Sequence, residues 1–352
     1  MNADRNAGFF QASKRPAIIF FVLILFGVAI QFGFDSFIQL ILIYILINMI
    51  LSMSLNLVNG HTGQFSLGHA GFMAVGGYSS AYISSLLPKM SGLMQWPYFF
   101  GLAITGGCVA AIAGYLVGLP SLRLKGDYLA IVTLGFGEII RVILLNTPAV
   151  GGARGFPAIP GPEDFEIAGI TISKFFVCYS LAIFWVVFTF VLIWRLLDGH
   201  HGRAFLSVRE DEIAAEAIGI NTTNAKVRAF VISSFLAGVA GSTFAHFTNY
   251  LNPASFNFNR SVDAVIMVVL GGMGSLTGSL FAAVFITVIP ELLRPLQEYT
   301  GVDIRMVIYS LSLILLMILR PKGIFGKLEM PDVIQLLKAK RAARLKSKGV
   351  PS

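Results

Sequence analysis

Charge is scarce in this sequence: 12% of its 352 residues are charged, against 56% hydrophobic, and the mean hydropathy is +0.77. That balance excludes a soluble domain of this length. Cysteine is nearly absent. Cys108 and Cys178 both fall in apolar runs, where they read as small hydrophobic side chains, not as a disulfide or a metal site. No GxxxxGK[ST] phosphate loop occurs, so ATP hydrolysis by that route is excluded, and HExxH, GxSxG and paired intramembrane aspartates are missing too. The period-two alternation of an outer-membrane barrel is lacking, because IIFFVLILFGVAI and FIQLILIYILINMI are apolar on every face. No Cys, Asp or Glu stands at ligand spacing near His61 and His69, and His200 and His201 lie beside a polar segment, so no metal site is expected.

What remains is a series of apolar runs approaching the roughly 20 residues that cross a bilayer as a helix. Backbone polar groups in lipid must be satisfied internally, so an all-α integral membrane protein, a polytopic helical bundle, is the expected class. Crossings at 17–34, 37–57, 63–86, 98–118, 127–146, 174–194, 227–250, 262–276, 278–296 and 302–319 make about ten, with both termini cytoplasmic. The apolar run after the basic start is too long for a signal peptide, and reads as a retained first helix. In this arrangement Arg5, Lys14, Arg15, Arg123, Lys125, Arg195, Arg203, Arg209, Lys226, Arg228 and every basic residue from Arg320 to Lys348 lie inside. Only Lys89, Arg154, Lys174, Arg260, Arg294 and Arg305 lie outside, as the positive-inside rule requires. The chain divides into a cytoplasmic N-terminus (1–16), one transmembrane domain (17–319) with a cytoplasmic loop at 196–226, and a basic cytoplasmic tail (320–352). The tail reads as solvated or facing lipid headgroups, not as a nucleic-acid site. Residues 146–170, rich in Gly and Pro, suit an ordered outward loop that is either a connector or a receiver of something from outside.

The stretch LNLVNGHTGQFSLGHAGFMAVGGYSSA (55–81) is the most unusual. Its glycines let backbones approach closely or break the helix beside a pathway. Gly60 and Gly63 flank its cytoplasmic end; Gly68, Gly71, Gly76 and Gly77 thin the helix surface; Gln64, Ser66 and His69 are the polar pathway candidates. SLGHAGFMAV (66–75) and SLTGSLFAAV (275–284) share residues in register, and two such interrupted segments point to a central pathway, with Gly271 and Gly272 as further candidates. Glu138 and Arg141, at i and i+3 in an apolar run, are expected to pair, either locking helices together or acting at the pathway. Asp263 reads as interfacial.

Within 196–226, Ser207 and Glu210 form a capping box, so a helix is expected to start at Ser207, with acids in its first turn, and to stop at Gly219. About eleven residues, roughly 16 Å, cannot span a bilayer. Ile213, Ala214, Ala217 and Ile218 share one side. Such a helix either docks into a groove on a cytoplasmic partner or lies on lipid or its own bundle.

These residues together resemble the permease subunits of branched-chain amino acid ABC importers, of the LivM type. The carrying stretches are LNLVNGHTGQFSLGHAGFMAVGGY, RLKGDYLAIVTLGFGEIIR, the loop ending GGARGFPAIPGP, RAFLSVREDEIAAEAIGIN and MVVLGGMGSLTGSLFAAV, spread over about 50–325. The resemblance implies a LivH-like second permease, two cytoplasmic ATPases (LivG/LivF-like) and an extracytoplasmic binding protein delivering Leu, Ile or Val, all at the bacterial cytoplasmic (inner) membrane. It implies no catalysis and no cofactor bound by this chain, ATP and Mg being used by the partners. It also makes 203–221 the coupling helix, with Arg203, Ser207, Arg209, Glu210, Glu216 and Gly219 as ATPase-docking residues. Urea-importer permeases are similar in pattern, and leave urea or a short amide as the alternative cargo. Some LivM-like chains carry an additional leading region before the first crossing, where this one is short.

Overall fold

The computed structural model describes residues 35–122, 127–167 and 170–294, with 23, 24, 27, 28, 31, 33, 310, 311, 314, 318, 323–326 and 329. Its helices are α1 (Ser36–Asn56), α2 (His69–Leu86), α3 (Gln95–Ser121), α4 (Asp127–Leu145), α5 (Lys174–Asp198), α6 (His200–Glu210), α7 (Glu212–Ala217), α8 (Thr222–Thr248), α9 (Phe258–Gly271) and α10 (Leu276–Leu292). Among the described residues, five helical stretches are long and apolar enough to cross a membrane: Ser36–His61, Gly92–Ser121, Tyr128–Leu145, Lys174–Asp198 and Thr222–Thr248. The expected crossings 17–34 and 302–319 fall largely outside the described residues; the described positions in them are helical.

Two expected crossings are corrected. The run at 63–86 becomes helical only at His69, after a non-helical stretch from Thr62 to Gly68. The run at 262–276 is α9, whose 14 residues cover only about 21 Å at 1.5 Å per residue, short of the ~30 Å hydrocarbon core. The next helix, α10, has 17 residues and begins at Leu276. Glycine causes both departures: it pairs poor helix propensity with access to turns that other residues avoid.

Polar residues fix the other boundaries. Asn221, Asn257 and Ser275 cap α8, α9 and α10, accepting the amides of Asn224 (2.9 Å), Arg260 (3.2 Å) and Gly278 (3.1 Å). Asn249 ends α8 in the left-handed conformation (φ 56°). The start of α10 gains a second anchor from the C-terminal region: the Glu329 carboxylate accepts the amides of Leu276 (2.7 Å) and Thr277 (3.1 Å). Nearby, Ile324 and Phe325 donate to the carbonyls of Leu270 and Gly271. This part of the expected tail is therefore knitted onto the turn between α9 and α10.

The core is centred on α8, which packs mainly on α2 and α3. Glycines set the spacing. A Cβ on Gly238 of α8 would lie 2.5 Å from Ala110 Cβ and 2.8 Å from Gly106 O on α3, and a Cβ on Gly76 of α2 would run into Gly238 itself. Three backbones thus meet at one point, which in lipid supplies the van der Waals packing that the hydrophobic effect cannot.

The described residues of the loop, 146–167 and 170, contain turns and strands, as expected of an ordered segment. It carries a short antiparallel pair, β1 (Phe165–Ile167) and β2 (Ile170–Ile172), with Phe165 opposite Ile172. Gln95 and Glu163 exchange hydrogen bonds of 3.0 and 3.1 Å, and His246 Nδ1 donates to Pro160 O at 2.7 Å, so the loop is pinned to α3 and α8.

Candidate functional site

The Gly-rich stretch ends α1 in a π-helical turn, Leu57–His61, and then leaves the helix. Gly63 adopts φ 70° there, a conformation that costs other residues about 1–2 kcal/mol. Across from it lies the second break, Gly272 to Ser275, between α9 and α10. Asn56 joins the two: its Nδ2 donates to Ser275 O and Ser279 Oγ, each at 2.8 Å, and its Oδ1 accepts Gly274 N at 2.9 Å. A Cβ on Gly60 would overlap Asn56 Oδ1 and Gly274 N, so only glycine lets the breaks come together.

Arg209 fastens the first break to α6 and lies beside the second at Gly274. Its Nη1 donates to Gly60 O at 3.0 Å, and its stem would touch a Cβ placed on Gly63. Its Nε and Nη2 hold Glu210 Oε1 at 3.2 and 2.7 Å, with the side chain only 19% exposed. A charge-assisted bond to a carbonyl at the end of a π-turn satisfies an acceptor that the broken helix cannot.

Several polar groups around the first break have no such partner. Among the described residues, both side-chain polar atoms of buried Gln64, Ser66 Oγ and Asn59 Nδ2 make no hydrogen bond. Buried polar atoms without a protein partner are uncommon and costly, and are ordinarily completed by ordered water or a bound molecule. His69 is not one of them. Ser54 Oγ donates to Leu51 O (2.9 Å), which leaves His69 Nε2 as donor to Ser54 Oγ at 2.7 Å, tying the start of α2 to α1. Leu67 N and Ala70 N donate to Thr133 Oγ1 of α4 (3.0 Å) and Ser261 Oγ of α9 (3.2 Å).

Beyond Arg209 the chain turns into α7. Asp211 caps it, its Oδ1 accepting the amides of Ile213 (2.9 Å) and Ala214 (3.0 Å). Gly219, at φ 86°, closes it in a Schellman arrangement, with Gly219 N bonded to Glu216 O (2.9 Å) and Ile220 N to Ala215 O (3.0 Å). Lys226 of α8 pairs with Glu212 at 2.5 Å, and Thr222 Oγ1 donates to Glu216 Oε1 at 2.6 Å, so α7 is braced from behind. Its outer face is bare: Ile213 is 72% exposed and Ile218 76% exposed, with Ala214 and Ala217 exposed between them.

A family model described as the branched-chain amino acid transport system / permease component matches residues 37–319, most of the chain. The chain belongs to that family. This permease is 41% identical over 300 residues to the high-affinity branched-chain amino acid transport system permease protein LivM of Salmonella typhimurium, covering 79% of this chain and 68% of that one. It is 26% identical over 348 residues to the probable LivM permease of Methanocaldococcus jannaschii (86% and 96% covered). To the Salmonella typhimurium LivH permease it is 24% identical over 297 residues (81% and 92% covered). No solved structure matches.

Several site expectations for this permease change with the geometry. The capping box does not form: Ser207 lies in the last turn of α6, its hydroxyl donating to Arg203 O at 2.9 Å, and the cap is Asp211. Phe205 and Val208, buried at i and i+3, keep α6 helical through the local cap signal. Arg209, expected on the docking surface, turns inward to Gly60 O, while Glu216 accepts from Thr222 Oγ1 of α8 and remains exposed. Arg203 and Glu210 are exposed, and Gly219 stops the helix as expected. Gly68 and Gly71 abut Thr133 and Gly137 of α4, while Gly271 abuts Gly278 and Gly272 abuts Gly326. Glu138 and Arg141 do pair, at 2.7 Å, but they open toward Ala254, Asn257 and Asn259, away from Arg209. Asn56 and Asn59 were overlooked; two asparagines four residues from the glycines in an apolar run were the available signal.

Proposed function

We propose that this chain is one permease subunit of an ABC importer for branched-chain amino acids in the cytoplasmic (inner) membrane. A LivH-like permease completes the translocation path, two cytoplasmic ATPases drive it, and an extracytoplasmic binding protein delivers Leu, Ile or Val. The bias of basic residues toward one side, with Arg195, Arg203, Arg209, Lys226 and Arg228 clustered about α6 and α7, supports these two helices on the cytoplasmic, ATPase-facing side. The pinned loop at 146–170 then faces the binding protein.

One observation carries this reading. A short, doubly capped helix presents four apolar residues outward, while its root, Arg209, is bonded to the glycine break of α1. A helix built only to lie against its own bundle would bury that face. Set into a groove on each ATPase, α7 would pass closure of the ATPase pair through α6 and Arg209 to the two breaks, and the path would open to alternate sides.

Purification in mild detergent tests the assembly. Co-elution of a second permease and two ATPases, with ATP-driven leucine uptake after reconstitution with the binding protein, is the expected result. Leucine transport by the chain alone contradicts it.

A further inference from the structure

The helices α1, α9 and α10, whose breaks are joined by Asn56, hold something else between them further along. A partly open cavity of about 520 Å³ lies between the middle of α1, the first turns of α9 and the last turns of α10. That is the size range of small-molecule sites. Its wall carries Arg260, Asp263 and Glu291 beside the apolar side chains of Met73, Phe256, Met267 and Ile286. Asp263, expected at the interface, and Arg260, expected in an outside segment, both line this internal space.

The polar side of the cavity is ordered. Arg260 Nη2 donates to Asn48 Oδ1 at 2.9 Å, Asn48 Nδ2 donates to Thr287 Oγ1 at 2.8 Å, and Thr287 Oγ1 donates to Ala283 O at 2.7 Å. This relay uses one N–H of a fork that carries five, and it aims the guanidinium. Asp263, three residues on along the same helix face, makes no hydrogen bond or ion pair of 4.0 Å or less with the described residues. Charges set among membrane helices are costly and are retained where they act on a ligand or an ion.

We propose that this cavity receives an α-amino acid zwitterion during transport. Arg260 takes the carboxylate, Asp263 takes the ammonium, and Met73, Phe256, Met267 and Ile286 enclose an apolar side chain. Each charge of the ligand meets its opposite, so neither it nor the protein is left with an unpaired charge. Asn48, Arg260, Asp263, Met267 and Ile286 belong to α1, α9 and α10, the helices that carry the two breaks, so movement at the breaks reshapes the cavity. The inference rests on the importer reading above and names the site at which that importer holds its cargo.

The test uses the full importer in proteoliposomes, with Cys108 and Cys178 replaced and Met267→Cys as a reporter in the cavity wall. L-Leucine is expected to slow maleimide labelling severalfold, whereas L-leucinamide, lacking the carboxylate, and isocaproate, lacking the ammonium, do not. Arg260→Gln is expected to remove the protection and lower leucine uptake at least about tenfold, with ATPase assembly unchanged and Arg260→Lys partly restoring uptake. Ile286→Cys reads the opposite wall if the first reporter fails to assemble. Intact leucine uptake with no protection at either reporter, or with equal protection by all three compounds, overturns the cavity and leaves the importer reading standing. Absence of leucine uptake by the unmodified complex overturns both.

Discussion

Gly238→Val is expected to lower the yield of folded permease at least severalfold. The new Cβ would sit 2.5 Å from Ala110 Cβ and 2.8 Å from Gly106 O, and a second face of Gly238 already abuts Gly76. Two of these three neighbours are glycines, which have no side chain to rotate away. Relief requires α2, α3 and α8 to separate along a seam that also includes Gly77 against Gly241. Overpacking costs about 1–3 kcal/mol where side chains can shift, and here the cost lies at or above that range. Against a typical stability of roughly 5–15 kcal/mol, that lowers the folded fraction substantially and slows assembly. The measurement is the amount of monodisperse protein by fluorescence-detected size exclusion, with Gly101→Val as the control. Gly101 has nothing within 4 Å of its added Cβ and lies on α3, so it tests the loss of glycine without the collision. A normal yield from Gly238→Val contradicts the three-helix contact.

Arg209→Ala is expected to separate ATP hydrolysis from transport. The variant removes the bond to Gly60 O and the grip on Glu210, while Asp211, Gly219 and the Lys226–Glu212 pair still build α7. A hydrogen bond to a charged group contributes about 1.5–3 kcal/mol, enough to change the balance of two conformations at least about tenfold. ATPases should therefore still dock and hydrolyse ATP, whereas leucine moved per ATP falls at least about tenfold. Arg209→Lys keeps a positive charge that can reach one acceptor and loses the fork that reaches two, so an intermediate ratio is expected. An unchanged ratio in Arg209→Ala means that the segment drives the bundle by some other route.

The parts of this design legible in the sequence are those set by local rules. The i, i+3 pairing of Glu138 with Arg141, the stop at Gly219, the shared side of Ile213, Ala214, Ala217 and Ile218, and the interruption of two apolar runs by glycine depend on neighbours in the chain. The expected start of α7 at Ser207 moves to Asp211, since α6 runs helical through Ser207. Burial of Phe205 and Val208, a tertiary effect, chose between the two starts. Asn56 meets Gly274 and Asn48 meets Arg260 across more than two hundred residues. No periodicity or spacing encodes such pairs, so the junction of the breaks and the charged cavity appear only once the helices are packed.

What covers the outer face of α7 decides whether this helix links ATPase to bundle. A photoactivatable residue in place of Ile218, which is 76% exposed in the isolated chain, reads this directly in the assembled complex. Cross-linking to an ATPase subunit, with a yield that changes when ATP binds, is the predicted result. Cross-linking only to lipid or to the second permease would contradict it.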